Sequence, residues 1–251
     1  MEAELNKGIK SAQVMNWFGT KVLITGADGF IGSHLSEALI RQGADVTSLV
    51  LYNSFGQSGW LDSLEPDVFN ELRTNSGDIR DPHKMLNLCK GQEIIFHLAA
   101  LISIPYSYEA VTHYLQTNVI GTNNLLQAAM SAETRKIVHT STSEVYGTAQ
   151  FVPMNESHPI QAQSPYAASK IGADKLAESY YRSFGLPVTT LRPFNTYGPR
   201  QSERAVIPSI IRQAIDNRSD SIAVGDTRPK RDFMYVGDTV EAFLALGSAD
   251  N

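Results

Sequence analysis

Two short segments carry residue types that can do chemistry together. In Ser164-Pro-Tyr-Ala-Ala-Ser-Lys170, Tyr166 and Lys170 stand four positions apart, which puts both on one face of a helix. A Lys cation beside a phenol lowers its pKa, so the phenolate accepts a hydroxyl proton while hydride leaves the same carbon. Upstream, Thr140-Ser-Thr-Ser-Glu-Val-Tyr-Gly147 offers hydroxyls at Thr142 and Ser143 and a carboxylate at Glu144. A carboxylate so placed can remove a proton α to a carbonyl once a neighbouring alcohol has been oxidised.

A third segment, Thr25-Gly-Ala-Asp-Gly-Phe-Ile-Gly32, follows the apolar run Val22-Leu-Ile-Thr25 and opens a helical pattern through Arg41. Gly26, Gly29 and Gly32 let the backbone turn sharply and approach a pyrophosphate. The helix start, with Phe30 and Ile31 in its first turn, offers unpaired N–H groups and a partial positive charge. The spacing is Gly-x-x-Gly-x-x-Gly. The acid expected after the second strand is missing: Leu51-Tyr-Asn-Ser-Phe55 puts Asn53 where a carboxylate would meet the adenosine ribose. With no Arg or Lys nearby to neutralise a 2′-phosphate, the reading favours NAD over NADP. Asp78 and Ile79 fall where a third strand would end beside the adenine.

These residues need a scaffold that brings strand ends together. Further strands are expected at Asp45–Leu51, Glu93–His97, Lys136–Thr140 and Pro187–Leu191. Helices are expected near Lys84–Lys90, Ala110–Met130 and Pro165–Phe184, the last with Ser164 as cap and Pro165 at its first position. Short apolar strands alternating with helices predict an α/β, doubly wound parallel sheet of the Rossmann kind, with ligands at the carboxyl ends of its strands. After Pro199 the pattern loosens into a helix at Val206–Ala214, a short strand at Ile222–Val224, and Arg231-Asp-Phe-Met-Tyr-Val236. The division expected is an N-terminal extension (1–19), an NAD-binding Rossmann domain (20–199) and a smaller, partly interleaved substrate-binding subdomain (200–251).

Across the chain's 251 residues, 42% are hydrophobic and 19% charged, and the net charge is −5, which leaves no basic footprint for nucleic acid. No apolar run is long enough to span a membrane, and Met1–Thr20 lacks a signal-peptide core. Cys89 is the single cysteine, a small apolar filler that fits a reducing compartment, so a cytoplasmic location is expected. No metal site is expected. The helices at 110–130 and 165–184 offer a homodimer face.

As a set, the motifs resemble the extended short-chain dehydrogenase/reductase group acting on nucleotide sugars. They are Gly26-Ala-Asp-Gly-Phe-Ile-Gly32, His97-Leu-Ala-Ala100, Thr117-Asn-Val119, Ser141-Thr-Ser-Glu-Val-Tyr-Gly147, Tyr166 to Lys170, Arg192-Pro-Phe-Asn-Thr-Tyr-Gly-Pro199 and Arg231-Asp-Phe-Met-Tyr-Val236. The resemblance implies NAD as cofactor and a nucleotide sugar as substrate. It implies that Thr142 bonds the sugar 4-hydroxyl, Ala99 and Ala100 line the cofactor, and Pro193 borders the nicotinamide. It further implies that Asn195 contacts substrate and that Arg231 meets the diphosphate. An Arg fork suits phosphate geometry, so Arg200, Arg204 and Val206 are candidates to lie along the same diphosphate, with a surface role for Arg200 and Arg204 an equal reading. Asn118 has two open readings, a helix-interior group bonding the backbone or a structural part beside the active site. Ser103 and Tyr106 are candidates for the sugar pocket or for packing. Members of the group typically continue further than Asn251, so the substrate subdomain is expected to be partial.

Within this resemblance Glu144 favours a 4,6-dehydratase over a 4-epimerase, which generally lacks an acid there. Oxidation at C4, loss of water across C5 and C6, and return of hydride to C6 give a 4-keto-6-deoxy sugar. The pair Ser143-Glu144 departs from the Asp-Glu of dTDP-glucose dehydratases, which leaves Ser143, a water it holds, or Glu144 itself as the acid for the leaving hydroxyl. The segments Ala100–Tyr108, Leu51–Phe55 and Gly59-Trp-Leu-Asp62 resemble dehydratases of legionaminic-acid-type pathways acting on UDP-N-acetylglucosamine. The alternatives are a UDP-glucuronate decarboxylase, which carries a similar Thr-Ser-Glu-Val-Tyr-Gly run, an epimerase, and a non-catalytic NAD-bound sensor.

Overall fold

The apolar runs between residues 21 and 191 become strands of one parallel sheet in the computed structural model, which describes residues 16–216 and 221–249. Most of the expected N-terminal extension, residues 1–15, lies outside that range. The first half runs Lys21–Thr25 (β1), Phe30–Arg41 (α1), Asp45–Leu51 (β2), Pro66–Phe69 (α2), Arg73–Gly77 (β3), Pro82–Cys89 (α3) and Ile94–His97 (β4). Next come Ile104–Glu109 (α4), Val111–Tyr114 (α5), Gly121–Ser131 (α6), Lys136–Thr140 (β5), Pro165–Phe184 (α7) and Val188–Leu191 (β6). The remainder holds Asn195–Tyr197 (β7), Val206–Ile215 (α8), Phe233–Tyr235 (β8) and Val236–Ser248 (α9).

The sheet order is β3-β2-β1-β4-β5-β6, all parallel, so the chain reverses direction across the sheet between β1 and β4. Ligands gather at such a switch point because the loops leaving the two central strands diverge there. Alternation along the strands splits the core into two layers. Val22 and Ile24 pack with Leu35, Leu39 and Phe96 on one face, while Leu23 packs with Met85, Leu125 and Ile137 on the other. Cys89 is buried in the second layer, and burial pushes its thiol up to about 12.

The helix starts follow from their sequences. Ser164 Oγ accepts from Ala167 N at 3.0 Å, with Pro165 at the first position of α7. Asp81 caps α3 through His83 N and Lys84 N. The expected helix over 110–130 is continuous but contains a π-helical stretch, Leu115–Ile120, between α5 and α6. Such a stretch widens the turn and re-aims side chains, and here it carries Asn118.

Two features differ from expectation. Ile222–Val224 is not a strand. The Gln213 side chain takes up Ala223, accepting from its N–H at 2.8 Å and donating to its carbonyl at 3.0 Å, so the segment has no ladder partner. Instead β7 and β8 pair in parallel as a separate two-stranded sheet. The division at residue 200 groups α9 with the smaller portion, yet its Val240, Phe243 and Leu244 pack into the core against Trp17 and Phe96. The excursion from the main layers therefore runs from Gly198 to Asp232, and α9 closes one face of the sheet.

Candidate active site

Thr142 sits at the end of β5 and caps a 3₁₀ turn, Ser143–Tyr146, its hydroxyl accepting from Glu144 N at 3.2 Å. The turn half-buries Glu144 and brings it close enough to Tyr166 for its charge to act on the phenol. The Thr142 hydroxyl stands close enough to Tyr166 to act on the phenol, lowering its pKa. Ser143 N donates to Pro193 O at 3.2 Å, which fastens the turn to the loop after β6. Thr142, Glu144 and Tyr166 thus converge, with Ser143 and Pro193 adjoining.

The electrostatics differ from expectation. Lys170 Nζ donates to Thr140 O at 2.6 Å and is buried. Burial lowers its pKa to about 8, against the pull of Asp174. Burial also pushes the Tyr166 phenol up to about 12, with the charges of Glu144, Tyr114 and Asp174 adding and the Thr142 hydroxyl opposing. The phenol's shift is thus upward, opposite to the lowering expected from Lys170, with burial its largest cause.

Beneath the pair lies a polar network that sequence reasoning missed. The Asp174 carboxylate accepts from Ser141 Oγ at 2.8 Å and from Arg192 Nε and Nη2 at 3.2 and 3.1 Å, and His139 Nε2 lies 3.2 Å away. Burial raises the cost of its charge, but its hydrogen bonds and the Lys170 charge hold its pKa below the ordinary range. Arg192 also donates to Tyr146 Oη at 3.2 Å. His97 and His139 are buried, which lowers both pKa values. Thr122 Oγ1 donates to Asn118 O at 2.7 Å, so it accepts from His97 Nε2 at 2.9 Å, and neutral His97 takes the Thr25 hydroxyl on Nδ1 at 2.8 Å. Asn118 clamps Leu101 from both sides, with Leu101 N donating to Oδ1 at 2.8 Å and Nδ2 donating to Leu101 O at 2.9 Å. It also reaches Ser169 Oγ, so it bonds backbone and α7 together.

At the switch point a cavity of about 490 Å³ is lined by Gly26, Asp78, Ile79, Ala99 and Ala100, all anticipated. It is also lined by Asp28, Tyr52, Arg80, Leu101, His113 and Thr117, which were not. Gly26 has φ +70°, and a Cβ there would stand 2.8 Å from Ala99 N. A Cβ on Gly32 would run into Gly26 O, so both glycines keep strand β1, its loop and α1 in close approach. No side chain caps α1, whose preceding residue is Gly29, and its first turn holds no acid; Phe30 instead meets the His34 ring edge-on and Ile31 packs on the core. Asn53 is not among the lining residues, and its amide bonds within its own loop. Arg80 brings positive charge to the cavity but is paired with Asp78 at 2.5 Å.

The excursion holds its candidates differently. Arg231 is exposed and makes a 3.5 Å bond to the neighbouring Lys230 carbonyl. Arg204 reaches Ser202, and Val206 opens α8 half-exposed. Asn195 Nδ2 donates to Asp232 O across the β7–β8 pair. Arg200 pairs with Glu37 of α1 at 2.6 Å, so its guanidinium ties the excursion to the main layer rather than standing free for a diphosphate. Tyr114 Oη donates to Ser103 O at 2.5 Å, and Tyr106 packs against Tyr114.

A family model described as GDP-mannose 4,6 dehydratase matches residues 23–251. The chain is 36% identical over 233 residues to a mouse dTDP-D-glucose 4,6-dehydratase, covering 91% of this chain and 65% of the relative, just under two thirds of its length. Among solved structures, a UDP-N-acetylglucosamine 4-epimerase from Methanobrevibacter ruminantium superposes with TM-score 0.83 at 32% identity, covering 93% of this chain and 74% of that one. A dTDP-glucose 4,6-dehydratase from Streptomyces venezuelae, solved with NAD bound, gives 0.82 at 33% identity, covering 91% and 72%.

Proposed function

Because this chain belongs to the GDP-mannose 4,6 dehydratase family, we propose that it is an NAD-dependent nucleotide-sugar 4,6-dehydratase acting on UDP-N-acetylglucosamine. The observation that carries the reading is the convergence of Thr142, Glu144 and Tyr166 at the end of β5. A 4-epimerase needs the alcohol-oxidising pair alone, whereas elimination also needs a base for C5, and the capped 3₁₀ turn supplies a carboxylate there.

The cofactor fits the residues present. The glycine loop leaves no room for Cβ atoms at Gly26 and Gly32, the start of α1 is uncapped by side chains, and the cavity opens at the switch point. NAD, when bound there, supplies hydride acceptance at C4 and hydride return at C6. In this reading Tyr166 acts as its phenolate, a form that Lys170 and a bound nicotinamide cation would have to favour against burial, and takes the proton of the C4 hydroxyl, while Thr142 bonds the same oxygen. Lys170, buried and anchored on Thr140 O, holds positive charge beneath the phenol at neutral pH and below. Glu144 removes the C5 proton, which the adjacent carbonyl has acidified. The C6 hydroxyl leaves as water, protonated by Ser143, by a water it holds, or by Glu144 carrying the proton just abstracted. Arg204, Val206, Arg231 and Asn195 receive the nucleotide and sugar. The Tyr114 ring packs edge-on to Tyr166, excluding water from one side of the phenol.

We further propose a cytoplasmic homodimer. The support for the dimer is exposed apolar surface on the two long helical segments, Leu115 and Ile120 on one and Tyr181 and Phe184 on the other. Among the described residues no helix is long and apolar enough to cross a membrane.

The test is product analysis by mass spectrometry and NMR after incubation with NAD and, separately, UDP-N-acetylglucosamine, GDP-mannose, dTDP-glucose and UDP-glucuronate. Loss of one water from UDP-N-acetylglucosamine with a new 6-methyl signal is the expected result. Carbon dioxide released from UDP-glucuronate would replace this reading with a decarboxylase, and turnover without mass change would replace it with an epimerase.

A further inference from the structure

The loop after β2 poses a problem of hydrogen-bond supply. Asn53 occupies the sequence position from which dinucleotide folds offer a carboxylate to the adenosine ribose. Its amide has no capacity left for that task. Nδ2 donates to Gln57 O at 2.7 Å and Leu51 O at 3.4 Å, and Oδ1 accepts from Phe55 N at 3.1 Å and Gln57 N at 3.2 Å. All four bonds stay within its own loop, which Asn53 folds and stabilises.

A carboxylate nevertheless stands at the end of β2, delivered from a different element. Asp28 lies between Gly26 and Gly29 in the glycine loop, and its Oδ2 accepts from Leu51 N at 3.3 Å. It lines the switch-point cavity together with Leu51, Tyr52 and Asp78. The 3₁₀ turn that begins at Gly59 fixes it from behind. Trp60 N donates to Asp28 O at 3.0 Å, and a Cβ on Gly59 would stand 2.6 Å from the same oxygen and 2.9 Å from the Asp28 Cβ. Apart from its own N–H, Leu51 N is the carboxylate's one donor among the described residues. An ionised carboxylate has about four acceptor positions, so most of its capacity is unfilled beside the cavity that Asp28 lines. Burial raises its pKa, as expected for a charge held out of water with too few donors.

We infer that Asp28 is the acceptor for the adenosine ribose hydroxyls and the residue that makes this site reject a 2′-phosphorylated dinucleotide. The inference rests on reading the cavity as the NAD site. A cis-diol presents two O–H donors to one carboxylate, a charge-assisted pairing. A 2′-phosphate in the same place would remove a donor and set its negative charge against Asp28. Arg80, the cation lining the cavity, does not offset this, because Asp78 already neutralises it. The acid that the sequence lacks after β2 is thus supplied across the switch point.

The test is isothermal titration of the full chain with NAD and with NADP, for the wild type, D28N and N53A. The ratio of the two affinities is independent of the folded fraction in any one preparation. The wild type should prefer NAD. D28N should weaken NAD by about tenfold while NADP stays level or tightens, so the preference narrows. N53A should loosen the loop and lower both affinities together, keeping the ratio. An unchanged ratio in D28N, or a preference that collapses in N53A, overturns the assignment while leaving the NAD site standing. A wild type that binds neither dinucleotide overturns both.

Discussion

The proposed catalytic face, around Tyr166 and the end of β5, and the Gly198–Asp232 excursion are built on opposite principles. At the catalytic face the functional groups are buried and tied to partners far away in sequence, as in Lys170 to Thr140, Arg192 to Asp174 and Asn118 to Leu101. In the excursion Arg231 and Arg204 are exposed and bond to near neighbours, Lys230 and Ser202, and Arg200 alone of the candidate arginines there reaches back, to Glu37 of α1. α8 contains no buried residue, and its Ile211 and Ile215 lie exposed. The first region is organised before any ligand arrives, so substitutions there should act on the chemical step. The second holds Arg204 and Arg231 in solvent, so substitutions of those two should act on affinity for the nucleotide.

The contrast can be broken most sharply at Tyr166. Tyr166→Phe should slow C4 oxidation by about 10³-fold with NAD affinity retained, as read by single-turnover kinetics. Wild-type oxidation in that variant would sink the assigned role. Glu144→Gln should reduce water loss by at least about 10²-fold while oxidation at C4 still occurs, read by accumulation of oxidised sugar. Unimpaired dehydration would free Glu144 from the base role. A stability measurement probes the same face without substrate. Between about pH 8 and 10.5 the buried Lys170 has lost a proton that the unfolded chain still binds. Stability attributable to Lys170 should therefore rise with pH through that window, by on the order of 3 kcal/mol at full separation. The comparison is the urea midpoint of the wild type minus that of Lys170→Met, and a flat difference would mean the amine is hydrated. The smallest effect belongs to the excursion. Arg231→Ala should raise KM for the nucleotide sugar about tenfold with little change in kcat and none in Tm. A large fall in kcat would show that the excursion takes part in orienting the sugar.

The same division governs what could be read from sequence. β1 and β4 announce themselves through the runs Val22-Leu-Ile and Ile94-Ile-Phe, because a strand covered on both faces reads as near-continuously apolar, and α7 carries its own start signal in Ser164-Pro165. β3, Arg73-Thr-Asn-Ser-Gly77, is a polar edge strand without that run, and β7 and β8 have three residues each, too few for a period. The proximity of Thr142, Glu144 and Tyr166 was legible because local motifs encode it. The Asp174–His139–Arg192 network was not, since its members come from three elements and meet only after the sheet forms. Asp28 was hidden for another reason. Its position inside a glycine loop reads as part of the phosphate cradle, while the side chain serves the neighbouring strand end.

α9 has a consequence for how the chain comes to be folded. Its Phe243 meets Phe96 of β4, and a Cβ on Gly247 would crowd both Phe96 and Trp17, so one face of the central sheet is sealed by residues near the opposite end of the described chain from Trp17. During synthesis β1, β4 and α1 emerge long before their cover, leaving an apolar surface that waits for the excursion to be made and traversed. Contacts this remote in sequence slow folding and lengthen the exposure of sticky intermediates. Chains cut within the excursion should therefore retain the dinucleotide motif intact yet accumulate as aggregates, and chaperone dependence during expression should fall away only once Val236–Ser248 has left the ribosome.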